Sequence, residues 1–479
     1  MPHRIELEMT KIKFGTDGWR AIIAKEYTVD NVARVSIATA EWLLRNFENP
    51  SVVIGHDCRF GGPMFVETAM KIFVHKGIKV FTTDKGFVST PMISLATLEM
   101  NASLGVVITA SHNPPSYNGY KLKGHFGGPL APDQVDEIQS IIPASNDINL
   151  DMISLKTAEK EGLVVYRDLE EIYLNRVRSV FDLELIKNAD FGWAYDAMYG
   201  AGQNVLKRLL PDMTFLHCDH NPSFRGQAPE PIDKNLREFS ELIANDDTIH
   251  CGLATDGDAD RIGLYDENGV FVDSHHIILL TIHYLVKYKG LTGKVVTGFS
   301  STPRIKKMCD HYGLEHVEVP IGFKYISVFM ADPEQDVLLG GEESGGIALK
   351  MHIPERDGIW MGLTVWEYMA KTGKSLTDLI QEVYEIVGPF AFERNDLHIN
   401  DQLKSKIIDQ CKKRAFNMFG KYQVARVEDL DGFKYFFDEN RWLMIRPSGT
   451  EPVLRTYAEA PTLAEARKIL EACQLTIGA

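Results

Sequence analysis

Residues 51–110 read SVVIGHDCRFGGPMFVETAMKIFVHKGIKVFTTDKGFVSTPMISLATLEMNASLGVVITA. Within this stretch, SVVIGHD (51–57) is a Val- and Ile-rich run of strand length, and MFVETAMKIFVHKG (64–77) is a longer amphipathic segment closed by a glycine, as a helix would be. IKVFTTD (78–84) returns to strand character, PMISLATLEM (91–100) to helix and SLGVVITA (103–110) to strand. Strands that are apolar throughout, alternating with helices, predict a largely parallel sheet covered on both faces.

The same pattern restarts twice. ADFGWAYDAMYG (189–200) leads into a helix, MTFLHCD (213–219) reads as a strand, and CGLATDGDADR (251–261) as a strand emptying into an acidic loop. IGLYDENGVFVDS (262–274) reads as a hairpin turning near Glu267–Gly269. KVVTGFSS (294–301) opens a third round, continued by HVEVP (316–320) and DVLLGGEESGG (336–346). From residue 387 the texture changes to a polar helix (401–418), then RWLMIRPSGTEP, VLRTYAEA and a last helix beginning near 462. The expected fold is α/β with mixed, mostly parallel sheets over 1–162, 163–268 and 269–386, and a smaller α+β domain over 387–479.

Composition narrows the function. The chain has 479 residues, 44% hydrophobic and 24% charged, a balance that excludes disordered, collagenous and fibrous classes. A net charge of −15 argues against broad binding to nucleic acid or an anionic membrane, both of which need a positive face, but leaves room for a small basic pocket. Six scattered cysteines with no CxxC pair predict free thiols in a reducing compartment. The opening MPHRIELEMTKIKFGTDGWR lacks an apolar signal core, and the greasiest stretch, IILLTIHYLV (277–286), is too short to cross a bilayer, so a soluble, cytoplasmic protein is expected.

Several segments carry chemistry. ATDGDADR sets Asp256, Asp258 and Asp260 at alternate positions after an apolar strand, a cluster of hard oxygens suited to Mg²⁺ or else a solvated turn. The spacing does not continue as an EF-hand. VVITASHNPPSYNGYK (106–121) projects Ser111 beside His112 from another strand end, either as a nucleophile or as the cap of an Asn-Pro-Pro turn, with Lys121 ten residues on. An acyl-transfer triad is disfavoured because GxSxG is missing and adjacent Ser and His side chains seldom meet in triad geometry. IRPSGTEP (445–452) offers Arg446, Ser448, Gly449 and Thr450, the parts of a phosphate cradle, with Arg455 nearby. LLGGEESGG (338–346) places Glu342 and Ser344 on a glycine-flanked loop able to meet sugar hydroxyls, although a plain surface loop has the same composition. Read alone, Lys324, His352 and Arg356 are surface or capping residues, and Arg20 in FGTDGWR is ambiguous.

In combination these segments resemble the α-D-phosphohexomutase superfamily, the phosphoglucomutase/phosphomannomutase group, over nearly the whole chain and in the family's order. TASHNP resembles the phosphoserine loop, DGDADR the metal loop, GEESGG the sugar loop and RPSGTEP the phosphate loop. The resemblance implies four domains around a central cleft, with a phosphoryl group carried on Ser111 and Mg²⁺ held by Asp256, Asp258, Asp260 and an oxygen of that phosphoserine. Arg20 and Lys121 would lie near the reacting phosphoryl, Lys121 as general acid/base, and His112 would orient the loop. Arg261, Lys324, Glu342, Ser344, His352, Arg356, Arg446, Ser448, Gly449, Thr450 and Arg455 would contact sugar or phosphate. The implied reaction interconverts hexose 1-phosphate and hexose 6-phosphate through a hexose 1,6-bisphosphate, with hinge motion of the C-terminal domain. Gly346, where dual-activity members often carry His, and the stretch HIPERDG (352–358) point to glucose phosphate, with glucose 1,6-bisphosphate as intermediate and activator. Phosphomannomutase, dual-specificity and phosphoglucosamine mutase activities are the alternatives, and a Mg²⁺-dependent sugar phosphatase or a non-catalytic sensor the remote ones. Expected partners are small hexose phosphates, with no nucleic acid or membrane, and the chain would be a monomer or homodimer.

Overall fold

A computed structural model of the chain describes residues 11–447 and 453–478. The described chain forms two compact units, one comprising residues 11–296 and 322–380, the other 297–321 with 381–447 and 453–478.

The first unit opens with a six-stranded sheet. Strands Ser51–His56, Lys79–Thr82, Leu104–Ile108 and Val164–Tyr166 run parallel, as the apolar runs predict, each pairing in register with its neighbour. Helices Gly62–His75 and Thr90–Glu99 fill the crossovers. Ser89 caps the second of them by accepting from the Met92 N–H, and Pro91 occupies its first turn, where a missing N–H costs nothing. The sheet is extended by Tyr117–Gly124, antiparallel to Leu104–Ile108, and by Trp19–Ile22, antiparallel to that strand in turn. The short hairpin-like return from 108 to 117 leaves Ser111 on the connection and brings Lys121 back opposite Val107.

A five-stranded sheet follows, in the order Phe271–Val272, Ile262–Tyr265, Cys251–Thr255, Trp193–Asp196, Thr214–Leu216. Its central strand, Cys251–Thr255, is buried at every position, and the acidic loop leaves its carboxyl end. The expected hairpin is present, with Gly269 at φ +70° closing the turn onto the Asp266 carbonyl. Further on, Val337–Gly341 and Ile347–Leu349 form an antiparallel pair joined by the GEESGG turn. The apolar stretch 277–286 lies in the buried helix Ser274–His283 and the π-helical turn after it; no helix among the described residues is long and apolar enough to cross a membrane.

The second unit holds a five-stranded antiparallel sheet, Ala391–His398, Val453–Ala460, Trp442–Pro447, Phe433–Phe436, Arg426–Glu428, packed against helices Asp401–Lys412 and Leu463–Ile477. Segment 297–321 belongs to it. The Lys434 ammonium donates to the carbonyls of Phe299 and Ser301 at 3.1 and 2.9 Å and lies 4.4 Å from the Trp442 ring, and Phe299 joins Phe436, Trp442, Met444 and Tyr457 in one apolar cluster. All six cysteines are free thiols.

Candidate active site

Ser111, Lys121, Asp256, Asp258 and Asp260 are all fully buried and lie together in the first unit. Two strand ends bring them there. Ser111 follows Leu104–Ile108, and the aspartates follow Cys251–Thr255. The two loops approach so closely that a Cβ on Gly257 would fall 2.5 Å from the Ser111 carbonyl oxygen, so only glycine fits between Asp256 and Asp258. Ser111 itself sits at φ +52°, a left-handed conformation costing a non-glycine residue about 1–3 kcal/mol. In that conformation its Oγ donates to Asp256 Oδ2 at 2.8 Å.

Two sequence neighbours also meet in the fold. His112 Nδ1 lies 3.2 Å from Ser111 Oγ, because the left-handed turn at Ser111 swings the two side chains together. Burial, and then the nearby cations Arg261, Arg20, Lys121 and Arg59, hold the imidazole well below its usual pKa. His112 is therefore neutral, and it touches the hydroxyl directly.

The aspartate loop is rigidly built. Asp256 Oδ1 accepts from the Asp260 and Arg261 N–H groups at 2.9 and 3.1 Å, the Thr90 N–H donates to the Asp258 carbonyl at 3.0 Å, and the Thr90 hydroxyl donates to Asp258 Oδ2. One oxygen from each aspartate lies within 4.8 Å of the others. Asp258 Oδ1 and Asp260 Oδ1 are buried with no hydrogen-bond partner. Burial pushes the Asp256 carboxyl well above its usual range, and the charges of Asp258 and Asp260 push it further. Hard, buried oxygens with unused lone pairs and mutual repulsion fit a small divalent cation such as Mg²⁺.

Lys121 enters this cluster from its antiparallel strand. Its Nζ lies 2.8 Å from Asp17 Oδ2, 2.8 Å from Asp258 Oδ2 and 3.0 Å from Asp260 Oδ2. Burial alone would lower its pKa, but the three carboxylates outweigh burial and hold it as the ammonium. Asp17 carries no signal in the sequence, where it is one acid in a glycine-rich turn. In the fold it is the hub for cations: Lys121, Lys123 at 3.5 Å, Arg20 at 4.0 Å and Arg356. Burial would raise the Asp17 pKa, yet those cations hold it well below the carboxylate range. Arg20 also donates to Asn113 Oδ1 at 2.7 Å, tying the opening turn to the serine loop.

The sugar-loop residues are more mixed. Glu342 is buried and accepts from the Gly322 N–H at 2.8 Å; burial, and then neighbouring Glu343, pushes its pKa up to about 7 against the pull of Arg356 and Arg261. Ser344 is half-buried in the turn, and Lys324 lies at the start of helix Phe323–Ala331 with its ammonium 5.2 Å from the Tyr325 ring. The Gly345 carbonyl accepts from the Ile262 N–H at 3.1 Å, joining this turn to the end of the aspartate loop. Arg261 lies 4.0 Å from Asp260 and 3.8 Å from Glu230.

Two further expected ligands have protein partners in this structure. Arg356, expected at sugar or phosphate, engages Asp260 Oδ2 at 2.7 Å and Asp17, so it belongs to the charge cluster of the aspartate loop. His352, expected likewise, is stacked on Trp360 at 3.7 Å with its Nε2 2.9 Å from Asp357, the N-cap of helix Gly358–Thr372. Tyr173 donates to the same carboxylate, so His352 braces a helix start.

In the second unit, Arg446 and Arg455 face each other as register partners on adjacent strands. Arg446 donates to both oxygens of Asp431 at 3.2 and 3.1 Å, and Arg455 lies 3.8 Å from Asp396. Each of the two arginines thus has a carboxylate of its own in the second unit. Ser448, Gly449 and Thr450 lie outside the described residues.

Four family models match in order along the chain: phosphoglucomutase/phosphomannomutase alpha/beta/alpha domain I over 11–148, domain II over 171–269, domain III over 273–387 and the C-terminal domain over 406–474. A phosphoglucomutase/phosphomannomutase of Thermococcus kodakarensis is 29% identical, with 96% of each chain covered. A phosphoglucosamine mutase of Methanococcus maripaludis strain C7 is 31% identical, again with 96% of each chain covered. A crystal structure from Thermus thermophilus, of a protein itself provisionally called a phosphomannomutase, is 30% identical and superposes with a TM-score of 0.85 over 98% of this chain and 100% of that one.

Proposed function

Since the chain belongs to the phosphoglucomutase/phosphomannomutase family, whose members are intramolecular phosphotransferases, we propose that it interconverts glucose 1-phosphate and glucose 6-phosphate through phospho-Ser111 and glucose 1,6-bisphosphate. The observation that carries the proposal is the Ser111 hydroxyl, 2.8 Å from Asp256 on a loop whose other two aspartates each keep a buried oxygen that accepts no hydrogen bond.

In the reaction, the P–Oγ bond of phospho-Ser111 breaks as a P–O bond to a sugar hydroxyl forms. The hydroxyl gives up a proton and Ser111 Oγ gains one. Lys121, held as the ammonium, is the general acid/base of this exchange, and His112, at hydrogen-bond distance from Oγ, orients the serine loop. Mg²⁺, held by Asp256, Asp258 and Asp260, would supply neutralisation of the charge that spreads over the phosphoryl oxygens. Arg20, fixed by Asn113 and Asp17, adds positive charge on the same side. Glu342, ionised above its pKa of about 7, accepts from sugar hydroxyls, with Ser344 and Lys324 beside its loop. Arg446 and Arg455, with Ser448, Gly449 and Thr450, anchor the phosphate that is not reacting. The bisphosphate then turns over, and its other phosphoryl group returns to Ser111.

Support for glucose comes from Gly346. Dual-activity members of the family often carry His at this position, and a side chain here would meet the Arg356 stem. The name of the Methanococcus relative favours a second reading, glucosamine phosphate. The test is a coupled assay comparing kcat/KM for glucose, mannose and glucosamine 1-phosphates with Mg²⁺ and a trace of the matching bisphosphate. Glucose 1-phosphate as the best substrate supports the proposal. Glucosamine 1-phosphate as the best supports the second reading, and sustained release of inorganic phosphate in place of isomerisation overturns both.

A further inference from the structure

Arg59, in the loop that follows strand Ser51–His56, is wholly buried and points its guanidinium at the backbone of the serine loop. Nη2 donates to the Ser111 and Asn113 carbonyls at 2.5 and 2.6 Å. Nη1 donates to the Pro114 and Tyr117 carbonyls at 2.8 and 3.1 Å. Nε lies 3.3 Å from Asp57 Oδ2, and the guanidinium carbon is 5.0 Å from the Phe224 ring centre. Asp57 completes a closed circuit: Oδ1 accepts from the Arg59 N–H at 2.9 Å, Oδ2 accepts from the Thr109 hydroxyl at 2.5 Å, and that hydroxyl accepts from the Ser111 N–H at 2.9 Å.

Both polar ends of the Ser111 backbone therefore lead to one ion pair, the carbonyl directly and the N–H through Thr109. Ser111 is also the residue held at φ +52°, which an L-residue leaves unless its surroundings over-determine it. A planar donor fork can satisfy four carbonyls of one turn at once, which an ammonium cannot. We infer that Arg59, with Asp57, is the positioning residue that holds Ser111 in the strained conformation from which its Oγ meets Asp256. The inference rests on the functional reading above only for its kinetic consequence, since Arg59 touches loop backbone and no substrate group.

The test uses the full-length chain with Arg59→Met, Arg59→Lys and Asp57→Asn, measuring turnover of glucose 1-phosphate and amide hydrogen exchange over 109–118 and 251–261. Arg59→Met is expected to lower kcat about 100-fold through misplacement of the nucleophile. KM should stay within about threefold, because substrate binding is untouched. Exchange at Ser111, Asn113 and Tyr117 is expected to quicken while residues 251–261 keep their protection. Arg59→Lys, which keeps the charge but loses the fork, should fall between, and Asp57→Asn should match the direction of Arg59→Met. Unchanged kcat and unchanged exchange in Arg59→Met overturn the inference, as does a KM increase equal to the kcat loss. If Arg59→Met does not fold, Arg59→Lys decides by the same two readouts. If the wild type turns over no hexose phosphate, the functional reading falls, and exchange at 109–118 alone judges the clamp.

Discussion

Ser111 and Asp256, 145 residues apart in the chain, meet through a hydrogen bond of 2.8 Å, and the glycine after Asp256 makes the meeting sterically possible. Neither residue is reactive on its own terms. Ser111 is strained, and the pKa of the Asp256 carboxyl is held above its usual range by burial and by its two neighbours in the loop. A divalent cation among the three carboxylates would offset the repulsion that raises Asp256.

The cation prediction follows from that repulsion. If Mg²⁺ binds the native chain and not the unfolded one, a hundredfold excess over its Kd adds about 2.7 kcal/mol to unfolding free energy. Calorimetry should show a Tm that climbs with Mg²⁺ in the wild type and stays flat in Asp258→Asn. A Tm indifferent to Mg²⁺ in both would count against the aspartate loop as its binding site.

Glu342 yields a pH prediction of opposite sign to that of a salt-bridged acid. Its carboxyl is pushed from about 4.5 to about 7 in the fold, so between those values the native state binds more protons than the unfolded state and stability falls as pH rises. Glu342→Gln should equal the wild type near pH 4 and exceed it at pH 8 by about 3 kcal/mol. The same variant should lose the rise in kcat/KM through pH 7 that ionisation of Glu342 produces. Denaturant melts at the two pH values, paired with pH–rate profiles, check both halves.

The Gly346–Arg356 contact predicts a coupling. A Cβ at Gly346 would lie 2.4 Å from Arg356 Cδ, and that side chain is pinned at its far end by Asp260 and Asp17. Gly346→Ala should cut kcat/KM about tenfold or more by dislodging Arg356, and should add little in an Arg356→Ala background, the mark of interacting residues in a double-mutant cycle. Additive losses would show that Gly346 acts independently of Arg356.

Arg446 and Arg455 stand side by side across two strands. If they anchor the non-reacting phosphate, Arg446→Ala should raise KM for glucose 1-phosphate more than it lowers kcat, by about 10- to 100-fold, as loss of a charge-assisted contact does. Inorganic phosphate should compete with substrate in the wild type and compete less in the variant.

Legibility in the sequence follows the physics. The parallel strands Ser51–His56, Lys79–Thr82 and Leu104–Ile108 are readable because burial on both faces leaves uninterrupted apolar runs. Tyr117–Gly124 does not read as a strand, because its lysines are buried against Asp17, Asp258 and Glu355, partners that only the fold supplies. Ser111 and the three aspartates stand out as dense motifs at strand ends. Arg59 and Asp17 do not, since a lone arginine or aspartate in a loop carries no pattern, and their importance lies in which backbone oxygens and cations come to them. His352 is the converse case: only the fold shows that its Nε2 meets the Asp357 carboxylate at a helix start and that its ring stacks on Trp360, while its buried Nδ1 has no hydrogen-bond partner.

The most direct measurement is intact-protein mass spectrometry of the wild type and Ser111→Ala after incubation with glucose 1,6-bisphosphate and Mg²⁺. The account predicts that the wild type gains one phosphoryl group, mapped to Ser111 by fragmentation and discharged on addition of glucose 1-phosphate, while Ser111→Ala gains none and does not turn over. Isomerisation by Ser111→Ala at the wild-type rate, or a phosphoryl group mapped to another residue, would contradict it.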